Sequence, residues 1–203
     1  KKQSHDAASS YFDLASSYTR SKPRLFITSG LVGTGKTTIA EALAKRLGLA
    51  VISSDVTRKK MTGIPLAEHH FEEFSSGIYS ADFSRKTYDT MFTEARQILD
   101  EGGSVILDAS FIKAGERLEA KGLTEEAKAD FFVIECILDE SLIQQRLAQR
   151  LEQGTVSDGR WEIFEHQKRQ CEPIAEVPAS NHIIVDASLS LEKTIPHILD
   201  KTD

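Results

Sequence analysis

"GLVGTGKTT", residues 30–38, follows directly on the apolar run "RLFITS", residues 24–29. Gly30, Gly35, Lys36 and Thr37 fit the spacing G-x-x-x-x-G-K-[ST], with Gly33 as a further glycine inside it. A loop of this kind turns its backbone N–H groups inward onto a polyphosphate. Side chains would block that approach and some positions need φ > 0, so glycine is favoured. Lys36 sets a point charge against the β- and γ-phosphates, and the Thr37 hydroxyl can ligate Mg²⁺. The helix that opens here adds its N-terminal dipole. A strand precedes the loop, and a clean stripe of Ile39, Leu43 and Leu47, closed by Gly48, follows it. That context separates it from a glycine-rich surface turn. Residues 30–38, with Leu31, Val32, Thr34 and Thr38 between the motif positions, read as a nucleoside triphosphate site.

Outward from the loop, short β-branched runs alternate with helical patterns. "RLFITS", "LAVISS", "SVILDAS", "DFFVIECIL" and "HIIVDAS" are apolar nearly throughout, as strands buried on both faces of a parallel sheet are. Helical stretches follow at Phe83 to Glu101, Leu142 to Glu152, Trp161 to Gln170 and Leu191 to Leu199. Strand and helix alternating five times predicts an α/β layered fold over residues 23–203. Residues 1–22 are polar and rich in serine. Tyr11, Leu14, Ala15 and Tyr18 recur there at helical spacing and predict a short connector helix, either packed on the domain or leading from an upstream domain.

Bulk composition narrows the class. The chain has 203 residues, 40% of them hydrophobic and 28% charged, which suits one globular domain. No apolar stretch approaches the roughly 20 residues needed to span a bilayer. "KKQSHDAASS" has no apolar core of a signal peptide, so a cytoplasmic location is expected. The net charge of −6 argues against a surface that wraps nucleic acid. Cys136 and Cys171 form no CxxC pair and are expected to be reduced, buried thiols rather than zinc ligands. His69 and His70 are adjacent and so point apart, against a shared metal.

Three constellations extend the loop. Asp108 ends "VILD", where a carboxylate at the tip of a buried strand can hold Mg²⁺ directly or through water. Asp55 stands at the C-terminal end of the second strand, with Arg58 one turn later. On the ligand edge of a parallel sheet, Asp55 can take a proton from an incoming hydroxyl and Arg58 can hold the acceptor or the moving phosphoryl group. Arg146 and Arg150 lie four apart on a helix, ahead of a glycine-containing loop with Asp158, and can close over the phosphates as a lid.

"GLVGTGKTTIAEALAKRLGLAVISSDVTRKKMTGIP", "GIYS", "VILDASF" and "SDGRWEIFEHQ" together resemble a P-loop, AAA- and zeta-toxin-like ATP-binding kinase domain. It is the domain that follows an aminoglycoside-phosphotransferase-like domain in bacterial two-domain proteins. More distantly the set is similar to gluconate kinases, chloramphenicol phosphotransferases and polynucleotide 5′-hydroxyl kinases. The resemblance implies a P-loop NTPase fold, a five-stranded parallel sheet in the order 2-3-1-4-5 with a helical lid. It implies a general-base role for Asp55, from D-x-x-R, and an acceptor or phosphate contact for Arg117. It assigns lid roles to Arg146 and Arg150, and places an acceptor-binding insert at residues 63–82. It also makes residues 1–22 the join to an upstream phosphotransferase-like domain. Ser110 stands where polynucleotide kinases often carry Asn, which sets this chain apart from them. The expectation is an enzyme that uses ATP and Mg²⁺ to phosphorylate a hydroxyl of a small molecule, with Lys36, Asp55 and Arg58 catalytic. The rivals are an ATP-hydrolysing regulatory module and a polynucleotide 5′-hydroxyl kinase.

Overall fold

The computed structural model describes residues 22–63, 80–153 and 161–202, with the side chains of 150–153 excepted. Each apolar run forms a strand: β1 (Arg24–Ser29), β2 (Ala50–Ser53), β3 (Val105–Asp108), β4 (Asp130–Ile137) and β5 (His182–Asp186). All pair in parallel, in the order β2-β3-β1-β4-β5. Parallel neighbours need crossovers, and helices supply them. These are α1 (Lys36–Leu47), α2 (Ser54–Thr62), α3 (Ala81–Asp100), α4 (Ala114–Ala127), α5 (Glu140–Gln153), α6 (Trp161–Gln170) and α7 (Leu191–Thr202).

Alternate side chains of a strand leave on opposite faces, so each apolar strand feeds two cores. Leu25, Ile27, Val105, Leu107, Phe131 and Val133 pack with Met91, Ala95 and Leu99 of α3 and with Ala120 and Leu123 of α4. Phe26, Ile106, Phe132, Ile134, Ile183 and Val185 pack with Ile39 and Leu43 of α1 and with Ile195 and Ile198 of α7. Phe26 and Phe132 stack across β1 and β4 with ring centroids 5.3 Å apart. The edge strand β5 departs from burial on both faces: Ile184 is exposed among the described residues. A third, smaller cluster joins Ile143 and Leu147 of α5 to Phe164 of α6, with Leu31 and Val32 of the glycine loop packed against it.

Helices α2 and α4 are the elements that periodicity does not announce, α2 because it is short and mostly polar and α4 because of its buried face. The buried positions of α4 are Arg117, Ala120, Leu123 and Thr124, so its inward stripe carries an arginine, a threonine and one large apolar residue. Two glycines, Gly115 and Gly122, weaken the pattern further. Cys136 is buried as expected, but Cys171 is exposed, since it follows the end of α6. The expected connector, apart from Lys22, and the stretch holding His69 and His70 lie outside the described residues. Among the described residues no helix is long and apolar enough to cross a membrane.

Leu107 sits in the middle of the sheet with no exposed surface. Leu107→Ala should cost about 2–5 kcal/mol, the range for a large-to-small change in a packed core. The shift in a urea unfolding curve measures it; a loss below about 1 kcal/mol would contradict the buried position assigned to this strand.

Candidate active site

β1 leads through α1 to β2, and β3 leads through α4 to β4, so the connections after these adjacent strands run in opposite directions. A parallel sheet opens its ligand crevice at the carboxyl ends of such a pair. The glycine loop follows β1, and the turn bearing Ser110 and Phe111 follows β3. The Gly30 amide donates to the Ser110 carbonyl at 3.0 Å, tying the two together. Strand register sets Ser53 of β2 beside Asp108 of β3, which brings the start of α2 to the same edge. A cleft of about 860 Å³ lies there.

Gly30 has φ 133° and Gly33 φ 85°, conformations that favour glycine. Packing demands it as well. A Cβ on Gly30 would lie 2.5 Å from the Cys136 carbonyl oxygen, and one on Gly33 would lie 2.9 Å from Ile143 Cγ2. At these two positions glycine lets β4 and α5 press against the loop, a reason beyond room for phosphate. Inside the loop, Lys36 Nζ and Thr34 Oγ1 both donate to the Leu31 carbonyl at 2.8 Å. Cys136 beside it is inert: burial pushes its thiol up to about 12.

Asp108 is almost wholly buried at the tip of β3. Thr37 Oγ1 donates to its Oδ2 at 2.8 Å, and Thr28 Oγ1 lies 3.1 Å from its Oδ1. A hydroxyl and a carboxylate beside a phosphate loop are the hard oxygen donors that Mg²⁺ takes along with nucleotide phosphates and water. The residues therefore fit the ion. Among the described residues no group of three or more His, Cys, Asp or Glu is placed to hold a metal by itself.

Asp55 and Arg58 stand one turn apart on α2, with Ser53 rather than Asp55 at the N-cap. Arg58 Nη1 donates to Asp55 Oδ1 at 3.1 Å. The guanidinium is nearly buried while the carboxylate stays 41% accessible, so Asp55 faces the cleft and Arg58 orients it.

Lys36, Thr37, Asp55, Arg58 and Asp108 thus line one cleft. Arg146 lies on the far side of Gly35, its Nη2 donating to the Ala187 carbonyl at 2.8 Å. There it borders a second hollow of about 430 Å³, together with Thr38 and Leu191. Arg150 falls in the last turn of α5; its side chain, Asp158 and most of the expected acceptor insert lie outside the described residues.

The structure does not bring Arg117 into the cleft. It has no exposed surface, its Nε and Nη2 bond Glu176, Nη2 also bonds the Pro173 carbonyl at 2.9 Å, and Nη1 donates to the Phe111 carbonyl at 3.0 Å. Phe111 has φ 40°, unusual for a side-chain-bearing residue. Such strain costs about 1–3 kcal/mol and persists only where surrounding contacts fix it. The Ser29 hydroxyl and Arg117 both hold the Phe111 carbonyl. Arg117 braces the turn behind Asp108 from inside the fold, which is why a role at the acceptor does not match its position.

Two cleft residues escape sequence reading. Tyr88 of α3 is buried, and its hydroxyl accepts from the Phe111 amide at 3.4 Å. Glu116 of α4 lines the cleft next to it, with Oε2 buried and accepting no hydrogen bond among the described residues. Burial pushes the Glu116 carboxyl up, against the opposing pull of Lys113, the Tyr88 hydroxyl and Arg117. Burial and then the charge of Glu116 push the Tyr88 phenol up in turn. Neither residue belongs to a motif, so no spacing marks them.

Loop, parallel order and paired Thr37–Asp108 define a P-loop NTPase. The chain belongs to the AAA domain family, whose model matches residues 25–174. It is similar to an uncharacterized protein of Mycobacterium tuberculosis, 29% identical over 140 residues, which are 69% of this chain and 28% of that protein. The chain thus spans 28% of the length of the mycobacterial relatives it matches. A shikimate kinase of Paramagnetospirillum magneticum is 26% identical over 183 residues, 85% of this chain and 89% of the relative. A gluconokinase structure from Sinorhizobium meliloti shares the fold with a TM-score of 0.60 at 21% identity, covering 90% of this chain and 93% of that one.

Two outcomes test the site's framework. Arg117→Met should destabilise the fold by about 3–5 kcal/mol, because the nearly buried Glu176 is left unpaired; a urea midpoint change under about 1 kcal/mol would rule out the brace. Glu116 binds its proton more tightly folded than unfolded, so it contributes stability at low pH that is lost as pH rises past its ordinary 4.5 and through the raised value. Glu116→Gln should therefore melt at a higher temperature relative to the parent chain at pH 7 than at pH 4. An unchanged difference between the two pH values would refute the coupling.

Proposed function

We propose that this chain is a Mg²⁺·ATP-dependent phosphotransferase that moves the γ-phosphoryl group to a hydroxyl of a small acceptor. One observation carries the reading: the Asp55–Arg58 pair opens onto the same cleft as Lys36, Thr37 and Asp108. A nucleotide hydrolase needs a positioned water, whereas a half-exposed carboxylate oriented by a guanidinium suits a base for an incoming hydroxyl. The cleft volume falls in the range of small-molecule sites. The shikimate kinase relatives, named for a small molecule, agree with that scale.

In this reading the loop amides and Lys36 hold the β- and γ-phosphates. Mg²⁺, when bound through Thr37 and Asp108, neutralises charge on the phosphate oxygens. The acceptor oxygen forms its bond to the γ-phosphorus as the bond to the β–γ bridging oxygen breaks, and ADP leaves. Asp55 takes the acceptor's proton, and Arg58 stabilises charge on the phosphoryl group in flight. The hollow bordered by Thr38 and Arg146 takes the base. Asp55 and Arg58 also meet the acceptor, while Arg146 and Arg150 act as lid cations.

Two substitutions separate binding from chemistry. Lys36→Ala should weaken ATP binding and abolish turnover, as the loop loses its cation. Asp55→Asn should leave ATP affinity within roughly threefold but cut transfer by about 10²-fold or more, the scale of a lost general base. Calorimetry and a radiolabelled-ATP screen of sugars, nucleosides and antibiotics provide both readouts. A parent chain that hydrolyses ATP yet labels no acceptor would favour the regulatory-module rival.

A further inference from the structure

Gln167 of α6 reaches the glycine loop, accepting the Val32 N–H on its Oε1 at 2.7 Å. This is a side-chain bond from outside the loop to one of the loop's own backbone amides. It fixes the orientation of the side-chain amide, because a backbone N–H only donates and must face the carbonyl oxygen. The Nε2 group, with two N–H donors, is then held on the other side of the same planar group. No acceptor among the described residues bonds it. Gln167 is half-buried and lines the cleft along with Val32, Gly33 and Lys36.

The helix that carries it cannot settle elsewhere without disturbing the loop. Phe164 of α6 is buried against Ile143 and Leu147 of α5, and Leu31 and Val32 pack on the same cluster. Trp161 stacks on Phe164 with centroids 4.6 Å apart. Gln167 lies three residues beyond Phe164, on the same side of the helix, so the packing aims it at the loop. An oriented amide with free N–H donors, beside a lysine and a phosphate loop, is complementary to an anion.

Resting on the nucleotide-site reading above, we propose that Gln167 binds the terminal phosphate of a nucleoside triphosphate and makes the loop discriminate tri- from diphosphate. The ligand chemistry is specific. A diphosphate fills the part of the loop nearest the α1 N-terminus, where the amides following Gly35 converge. Only the third phosphate extends along the cleft to the Gln167 amide. Through Val32 and the Phe164 cluster, the same contact ties α6 to the state of the nucleotide.

Two variants separate phosphate recognition from simple bracing of the loop. Gln167→Glu keeps the acceptor for Val32 but replaces the donors with negative charge. Gln167→Leu keeps an apolar stem of similar bulk and removes both the acceptor and the donors. Calorimetric affinities of the full chain for Mg²⁺·AMPPNP and for ADP are compared, with melting curves confirming that each variant folds. Gln167→Glu should bind AMPPNP roughly 10-fold or more weakly while ADP changes by less than about threefold, the scale of one lost charge-assisted bond turned repulsive. Gln167→Leu should also weaken AMPPNP more than ADP. If Gln167→Glu is silent, or if either variant weakens both nucleotides equally, Gln167 is only a brace and the proposal falls. If the unsubstituted chain binds neither nucleotide, the nucleotide-site reading itself falls, a separate and recognisable failure.

Discussion

Asp108 is held by two threonines from different elements, Thr28 on β1 and Thr37 at the start of α1. The rest of the site depends on this three-residue junction. It joins the first strand, the phosphate loop and the tip of β3 across a buried carboxylate. A carboxylate this deeply buried is costly without donors, so the junction tolerates little movement. It sets the Thr37 hydroxyl and the Asp108 carboxylate side by side at the mouth of the cleft, and parallel pairing then brings the Asp55–Arg58 turn to the same edge.

Around that junction the fold supplies three layers of support. The sheet's two cores hold β1 and β3 rigidly. The turn after Asp108 is strained at Phe111 and kept so by Ser29 and Arg117, which both bond its carbonyl. The third cluster, from α5 and α6, presses on the loop itself, close enough that a Cβ on Gly33 would collide with Ile143. Loop glycines in this protein serve packing as much as ligand access. That double demand explains why three glycines crowd into six residues.

Much of this was legible in the sequence. The strands and the loop are local patterns of residue type and spacing, and the same patterns bring Asp108, Asp55 and Arg58 to one cleft. The sheet order came with the family resemblance. Helix α4 was missed because its buried stripe includes an arginine and a threonine, so periodicity reads it as surface. Arg117 was placed at the acceptor because the motif shows an arginine near the carboxylate but not which way it points. Tyr88 and Glu116 carry no spacing signal, since each reaches the cleft from a helix remote in sequence, while Gln167 ends the quoted stretch "SDGRWEIFEHQ" but spacing alone gives it no role.

The sequence by itself determined that the chain makes a parallel α/β sheet with a phosphate loop after its first strand. Glycine conformation, β-branched runs and helix periodicity are local properties that any context must respect. Tertiary structure alone decided which polar groups face the cleft and which are consumed in bracing it. Arg58 turns to Asp55, Arg117 turns inward to Glu176 and Phe111, and Gln167 turns onto the loop. The physical reason is that burial and hydrogen-bond partners set the role of a polar side chain, and both come from residues far away along the chain.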